Sequence, residues 1–505
     1  MATVTGDRTV AVGERGAPAR TRYPEIVLGV AIAVWAVTFS VLVYLKHARF
    51  ASVDFDMGIH DQSIWLLAHF RGFMTVRGLQ VFGHHATPGY FLFVPFYWLG
   101  AGPHFLNITQ VVVAGLGAVP VFLLARHRTG RPWIGTALGV AFLLHPALQY
   151  FMSELFHPEV IAITPLLCAY YCSVRRRWGW FACFAVLAVC WKEDVALAVV
   201  LLGLVVTVRG VRSKDPTRRT EIKVGLVTMG AALAWFVLWI AALFPILNGG
   251  RVQNEGLYAD VGGSPGGVLR TALTHPSRVT SRVLSRDGST YAWKLFAPFG
   301  LAAVAAPFTL LIGAPQAVLN LITNVPWTKT ITFHYAALPF TAVTIASVEG
   351  VAFLARRIPW RDAADVIAAV VLVCAVVATV TSGPSPIGDR FRDGEWALDA
   401  SAQLAGARGA VGRIPDGAVV SATYNLLPHL THRPEIYSFP NPWRSQNFGI
   451  DGEPHRSGRR VQWLAVDRDV FDEPTRQLYE SLVANGEFEV VYRAGTYEVA
   501  RRVHG

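Results

Sequence analysis

IVLGVAIAVWAVTFSVLVYL, residues 26–45, carries no charge over a length that crosses a bilayer core. SVDFDMGIHDQ, residues 52–62, follows closely and sets three carboxylates, Asp54, Asp56 and Asp61, into eleven positions. Apolar runs of this kind recur as far as Val380. The 505-residue chain is 53% hydrophobic and only 16% charged, with a mean hydropathy of +0.39, too apolar to hide its side chains in a soluble core. It reads as an α-helical polytopic membrane protein of about 10–12 spans. Helices are required because lipid offers backbone groups no partners, and strand-like alternation is missing from these runs.

The formal charge of +11 does not point to nucleic acid, because of where the basic residues fall. The tail after Thr381 holds 14 Arg, no Lys and 16 Asp plus Glu, so it is close to neutral. The excess sits in short segments beside apolar runs: Arg20 and Arg22; Arg126, Arg128 and Arg131; Arg175 to Arg177; Arg209 to Lys223; and Arg356, Arg357 and Arg361. The positive-inside rule makes these cytoplasmic. The expected layout is a disordered cytoplasmic tail over 1–23 and a transmembrane helical domain over 24–382, with outward loops at 46–87 and 246–294. An extracytoplasmic α/β domain follows over 383–505. The N-terminus lacks a signal-peptide pattern, so the first span serves as an uncleaved anchor. All five cysteines lie inside apolar runs, which leaves no disulfide framework or cysteine zinc motif outside.

Along the chain, Met57 to Phe70 carries an apolar set that suits a helix lying at the interface. Thr87-Pro88 opens Gly89 to Leu99, too short to cross alone and read as a re-entrant or tilted half-helix, and Phe105 to Leu124 makes the crossing. Further spans are expected at Trp133 to Leu148, Val160 to Val174, Trp178 to Trp191, Val195 to Val208, Leu226 to Phe244, Leu295 to Ile312, Thr332 to Leu354 and Val366 to Val380, with an ambiguous piece at Ala314 to Val325. In the tail, Trp396 to Ala405 and Glu473 to Ala484 have helical spacing. Ala418 to Ala422, Val461 to Val466, Glu487 to Tyr492 and Thr496 to Ala500 read as strands, the last two joined by a turn at Ala494-Gly495.

Four polar clusters fall on the outward side of this topology: Asp54, Asp56, His60 and Asp61; His84-His85; His157-Pro158-Glu159 with Glu154; and Lys192-Glu193-Asp194. Ionisable groups at membrane depth cost about 2.5–3.5 kcal/mol on insertion scales, so they are kept for pairing or for function. Each cluster also has a plain reading. Asp54 or Asp56 suits a cap for the helix starting near Met57, Asp56 and His60 share a helix face and suit a local hydrogen bond, and Lys192 beside two carboxylates neutralises itself. His84, His85, His157 and Glu159 make a weak N/O metal set, weak because no HxxxH or HExxH spacing occurs. Lys192, Arg251, Arg282 and Lys294 suit a phosphate. The aromatic residues Trp65, Tyr90, Trp98, Trp178, Trp180 and Trp191 read as belt residues or as the lining of a lipid-tail groove.

The segments FDMGIHDQ (55–62), GHHATP (83–88), ELFHPE (154–159), WKEDVAL (191–197) and SATYNLLPHLTHRPEIYSFP (421–440) together resemble a family of bacterial predicted membrane proteins, domain of unknown function 2079. More broadly, the order of parts is similar to the C-type glycosyltransferases (GT-C): an acidic first outward loop with interfacial helices, a Pro-led helix after it, and a soluble C-terminal domain. The wider resemblance implies a multi-pass protein of the bacterial plasma membrane. It implies transfer of a sugar from a polyprenyl-phosphate donor to an extracytoplasmic cell-envelope glycan, lipid or protein. Asp56, or else Asp54, is then the catalytic carboxylate; His60, His84, His85, His157, Glu159, Lys192, Glu193 and Asp194 are supporting or phosphate-binding residues. The partners implied are membrane lipid and the lipid-linked sugar, with a divalent metal a further candidate. The usual Asp-Glu pair of that superfamily is not reproduced. Two other classes stay open: a transporter or flippase, since charged groups at helix breaks build substrate sites, and a noncatalytic envelope scaffold whose tail binds a partner.

Overall fold

A computed structural model describes residues 22–250, 255–398, 401–444 and 457–503. Most of the tail expected to be disordered, and Arg20 and Arg251 with it, lies outside the described residues. Among the described residues, six helices are long and apolar enough to cross a membrane: Tyr23–Ala48, Pro103–Thr129, Val195–Arg212, Arg218–Leu247, His334–Arg357 and Ala363–Ser382. A seventh candidate is the pair Pro132–Leu144 and Pro146–Ser153, bent by 42° where Pro146 follows His145. The lower end of the expected span count is reached only with three shorter apolar helices, Pro158–Val174, Trp178–Val189 and Pro307–Ile322.

The expected span from Leu295 to Ile312 is not one helix. The helix Arg286–Phe296 ends there, and 3-10 turns at Ala297–Phe299, Ala302–Ala305 and Leu311–Gly313 follow, with the short helix Pro307–Leu310 among them. Pro298 and Pro307 each remove a backbone donor, and Gly300 and Leu301 both take positive φ, so hydropathy there is high but the helical ladder cannot run through. In the segment Met57 to Phe70 the helix Ile59–Ala68 turns most of its apolar side chains into the protein, with Met57, Ile59 and Ile64 at 1% exposure or less, while Phe70 just beyond it is exposed.

The basic segments meet at one end of the bundle. Arg126 pairs with Glu25 at 2.8 Å and Arg128 with Glu349 at 2.6 Å. Arg176 and Arg209 both reach Glu221, at 2.7 and 3.4 Å, and Arg131 donates to the Arg361 carbonyl. The first helix starts at this end and finishes at the other, where the first loop, the helix breaks and the C-terminal region gather.

In the first loop, β1 (Phe73–Met74) pairs with β2 (Leu79–Gln80) as a small hairpin. The C-terminal region carries β3 (Val420–Ala422), β4 (Ile436–Ser438), β5 (Trp463–Asp467), β6 (Phe488–Ala494) and β7 (Tyr497–Arg502) in the order β4-β3-β5-β7-β6. β4, β3 and β5 run parallel, and β7 lies antiparallel between β5 and β6. Alternation along the strands divides the core. Val420, Ala422, Ile436, Ala465 and Val499 join the apolar core of the membrane bundle, while Tyr437, Leu464, Val466 and Ala500 pack with Tyr479 and Leu482 of the helix Glu473–Ala484. The helix expected at Trp396 to Ala405 is found at Ser401–Val411, and Trp396 instead packs in a turn with its indole donating to the Pro384 carbonyl.

The first loop and the C-terminal region are joined by polar contacts. Fully buried Asp61 accepts from the Tyr97 hydroxyl at 2.5 Å and from the Thr431 hydroxyl, and pairs with His432 at 3.2 Å. The Thr75 hydroxyl donates to the Ile436 carbonyl and accepts from its N–H. At Gly58 a Cβ would stand 2.7 Å from Leu427 Cδ2, so the turn packs against the tail through bare backbone.

Candidate functional site at the helix breaks

The site is built where membrane helices stop short of the boundary and must satisfy the backbone groups they release. After Ser153 the chain turns through Leu155, at φ +70°, before Pro158 restarts a helix at a first-turn position that suits proline. Asn107 and Gln110, one turn apart on the helix Pro103–Leu116, catch the break. Asn107 Oδ1 accepts the Phe156 N–H at 3.0 Å, and Gln110 Oε1 accepts the His157 N–H at 2.6 Å. The Gln110 amide also donates to the carbonyls of Phe151 and Leu155. A second break, Trp191 to Asp194, is met by the turn Pro88–Leu92: the Gly89 N–H donates to the Cys190 carbonyl, and a Cβ on Gly89 would stand 2.8 Å from the Trp191 ring.

These two breaks and the turn Asp54–Gly58 bring the charged groups together. His157 Nε2 lies 3.3 Å from Asp56 Oδ1, and the His157 ring stacks on His334 at 3.8 Å between centroids. His334 donates its backbone N–H to Glu154 at 2.7 Å, with Nδ1 3.0 Å from the same oxygen and Nε2 3.5 Å from Glu159. Lys192 Nζ donates to Glu159 at 2.6 Å and lies 3.5 Å from Asp194. Glu193 turns the other way, accepting from the Ala86 N–H at 3.1 Å with His85 Nδ1 2.9 Å from its other oxygen. His60 makes a 2.5 Å bond with the Tyr90 hydroxyl and sets its ring edge-on to His157, 5.6 Å away. His84 lies against His85, 4.2 Å between ring centroids.

The expected local pairs largely give way to long-range ones, although Lys192 keeps its neighbour Asp194 at 3.5 Å. Asp56 and His60 do not bond to each other; Asp56 meets His157 and His60 meets Tyr90, because the turn at 54–58 is a π-turn that rotates the two residues apart. Asp54 accepts the N–H of its neighbour Phe55 at 2.7 Å instead of capping the helix further on. Lys192 finds Glu159 as its nearest carboxylate and not its sequence neighbour Glu193. Sequence alone does not single out His334, and it places Tyr90 among belt or groove-lining aromatics. Neither sits in a charged cluster; the signal available for His334 was a lone histidine opening an apolar helix. Arg282 is engaged elsewhere, with Asp260 and the Ile322 carbonyl.

Burial divides the protonation states. It penalises charge on His157, but the bond to Asp56 and the nearby Glu154 and Glu159 more than compensate, raising its pKa to about 9 and leaving an imidazolium at neutral pH. His60 and His84, penalised by burial and by neighbouring cations, are held well below the usual histidine value. Burial raises Glu154, while Lys192 overcomes its own burial through Asp194, Glu159 and Glu193 and is held well above the usual lysine value. Asp56, with about a third of its side chain exposed, is the carboxylate of this group most open to an incoming molecule.

A cation site has one candidate among the described residues: Glu154, His157 and His334 bring one ligand atom each to within 4.8 Å of one another. This is an N/O donor set of the borderline kind. It shares only His157 with the set expected from sequence, since His85 is taken up by Glu193 and Glu159 by Lys192.

A family model described as Predicted membrane protein (DUF2079) matches residues 46–504. Among solved structures, ArnT from Cupriavidus metallidurans bound to undecaprenyl phosphate aligns with a TM-score of 0.55 at 14% identity, covering 96% of this chain and 99% of that one. The apo form of the same protein aligns at 0.53 and 15% identity, covering 95% and 98%. At such identity the likeness establishes the fold alone, which is ArnT-like over nearly the whole chain. No curated protein matches by sequence.

Proposed function

The chain belongs to the family of predicted membrane proteins DUF2079, and on that footing we propose that it is a membrane glycosyltransferase drawing its sugar from a polyprenyl-phosphate carrier. The observation that carries this reading is the meeting of Asp56, His157, His334, Glu159 and Lys192 at the end of the bundle opposite the basic segments, on a GT-C fold. With the basic end cytoplasmic, the site faces outward, toward lipid-linked sugars and away from nucleotide sugars. The C-terminal region, 383–505, is then extracytoplasmic, the N-terminus cytoplasmic, and the membrane the bacterial plasma membrane.

In the reaction proposed, an acceptor hydroxyl oxygen bonds to the anomeric carbon as the bond from that carbon to the phosphate oxygen breaks. The electron pair leaves with the polyprenyl phosphate and the hydroxyl proton passes to Asp56, the exposed carboxylate. His157 and Lys192 supply positive charge against the departing phosphate. His60, Glu193 and His85 hold the surrounding turns through Tyr90 and Ala86. Asp54, buried one turn away, is assigned to binding and not to proton transfer.

The test is release of polyprenyl phosphate from a labelled lipid-linked sugar by the purified protein. Asp56→Asn is expected to abolish release without lowering expression. Unchanged release in that variant removes Asp56 as the base. No release from any lipid-linked sugar, together with proton-coupled uptake into proteoliposomes that Lys192→Ala abolishes, replaces the enzyme with a transporter.

A further inference from the structure

A cavity of about 660 Å³ opens between the Asp54 turn and the C-terminal region, in the size range of small-molecule sites. Its walls come from the first loop (Asp54, Phe55) and from the segments that leave β3, β4 and β5, among them Tyr424, Phe439 and Phe471. This is the carboxyl edge of three parallel strands, the edge at which open α/β sheets hold their ligands. The sugar-transfer reading leaves this cavity without a role, although Asp56 is the next residue after its lining.

The lining has two chemistries. Four aromatic rings supply apolar faces, while Asp54 and Asp472 supply carboxylates and Ser438 a hydroxyl; among the described residues no Lys or Arg lines it. Asp54 is 2% exposed; one oxygen accepts the Phe55 N–H. The other, Oδ2, is buried without a well-formed hydrogen bond among the described residues, the Ser438 hydroxyl being a close polar neighbour. Leaving such an oxygen unpaired costs about 1–3 kcal/mol, which a donor from a ligand recovers. An anion would meet the two carboxylates of the lining, and a purely apolar ligand would leave Asp54 unpaired. A sugar ring has C–H faces that lie on aromatic rings and a rim of O–H groups that donate to carboxyl oxygens.

We propose that this cavity binds a neutral saccharide, and that this saccharide is the acceptor of the sugar transfer. The second half rests on the glycosyltransferase reading; the first does not. Bound there, the acceptor lies against the turn that carries Asp56.

The experiment uses the full chain in detergent with maltose, mannobiose and galactobiose as probes and glucosamine and glucuronic acid as charged comparators, read by saturation-transfer NMR. At least one neutral disaccharide is expected to bind, with affinity falling about tenfold or more in Tyr424→Ala and in Asp54→Asn. Tyr424 is 44% exposed, so its alanine variant keeps the fold, and unchanged melting checks this. The site is overturned if no neutral disaccharide binds, if both variants bind as well as wild type, or if a charged comparator binds best. In transfer assays Tyr424→Ala is expected to raise the acceptor KM at least about tenfold more than it lowers hydrolysis of the lipid-linked donor by water. Saccharide binding without any donor cleavage sinks the glycosyltransferase reading and the acceptor role while the saccharide site stands. Transfer with an unchanged KM in Tyr424→Ala sinks the site and leaves the transfer reading standing.

Discussion

Replacing Lys192 by Met keeps the length of its stem and removes its charge from a site where it is 7% exposed. At the observed 2.6 Å from Glu159, two unit charges attract by about 6 kcal/mol at an effective dielectric constant of ~20. Most of that offsets the cost of taking both ions out of water, so the net worth of the intact pair is small. Removing one partner is different, because Glu159 is left buried with the His157 imidazolium as its remaining cationic neighbour and the His334 ring at 3.5 Å, and a loss of about 3–5 kcal/mol is expected. Glu159→Gln leaves Lys192 with Asp194 at 3.5 Å and is expected to cost somewhat less. Combining the two removes both charges, so the double variant is expected to recover about 2–3 kcal/mol relative to the sum of the singles. The assay is apparent melting temperature in one detergent at a fixed scan rate, because proteins of this kind unfold irreversibly. Strictly additive losses, or singles that melt with wild type, would refute the claim that these two groups form one buried pair.

Three other outcomes are expected. Asp61→Ala leaves the Tyr97 and Thr431 hydroxyls without their acceptor and should loosen the C-terminal region at a cost of about 2–4 kcal/mol, read as faster limited proteolysis near residue 431 while the membrane helices stay protected. Gln110→Leu strands the His157 N–H and two carbonyls and should lower the melting temperature more than Asn107→Leu, which strands one N–H. His157, faced by Asp56, Glu154, Glu159, His334 and His60, has a folded pKa of about 9 against an unfolded value of 6.5; its stabilising contribution, on the order of 3 kcal/mol, is therefore full below pH 6.5 and lost as pH rises through about 9. His157→Gln should flatten that alkaline loss in a melting-temperature profile.

Much of the fold was legible because membrane crossing is written in length and apolarity, and the basic segments that meet at one end stand out against so few charges. The span expected from Leu295 to Ile312 failed because hydropathy does not register what Pro298, Gly300 and Pro307 do to a helical ladder. In the tail, the helix Glu473–Ala484 and the β6–β7 hairpin matched their spacing, whereas β4 is three residues long and carries too little alternation to announce itself. The charged clusters were visible because ionisable groups at the breaks of apolar helices are conspicuous. Their pairing was not, since Asp56 with His157 and Lys192 with Glu159 are set by how helices far apart in sequence cross. His334 entered only through that packing: it belongs to a three-residue turn with no charged neighbour in sequence, yet it stacks on His157 and bonds to Glu154.

On the glycosyltransferase reading, these breaks receive the phosphate of a lipid carrier beside Asp56. An experimental structure of the full chain in a lipid nanodisc with undecaprenyl phosphate added tests this most directly. Phosphate density is expected within hydrogen-bonding reach of Lys192 or His157, with the polyprenyl chain running into the bilayer from there. Phosphate bound at the opposite, basic end of the bundle, with the helix breaks closed to lipid, would contradict it.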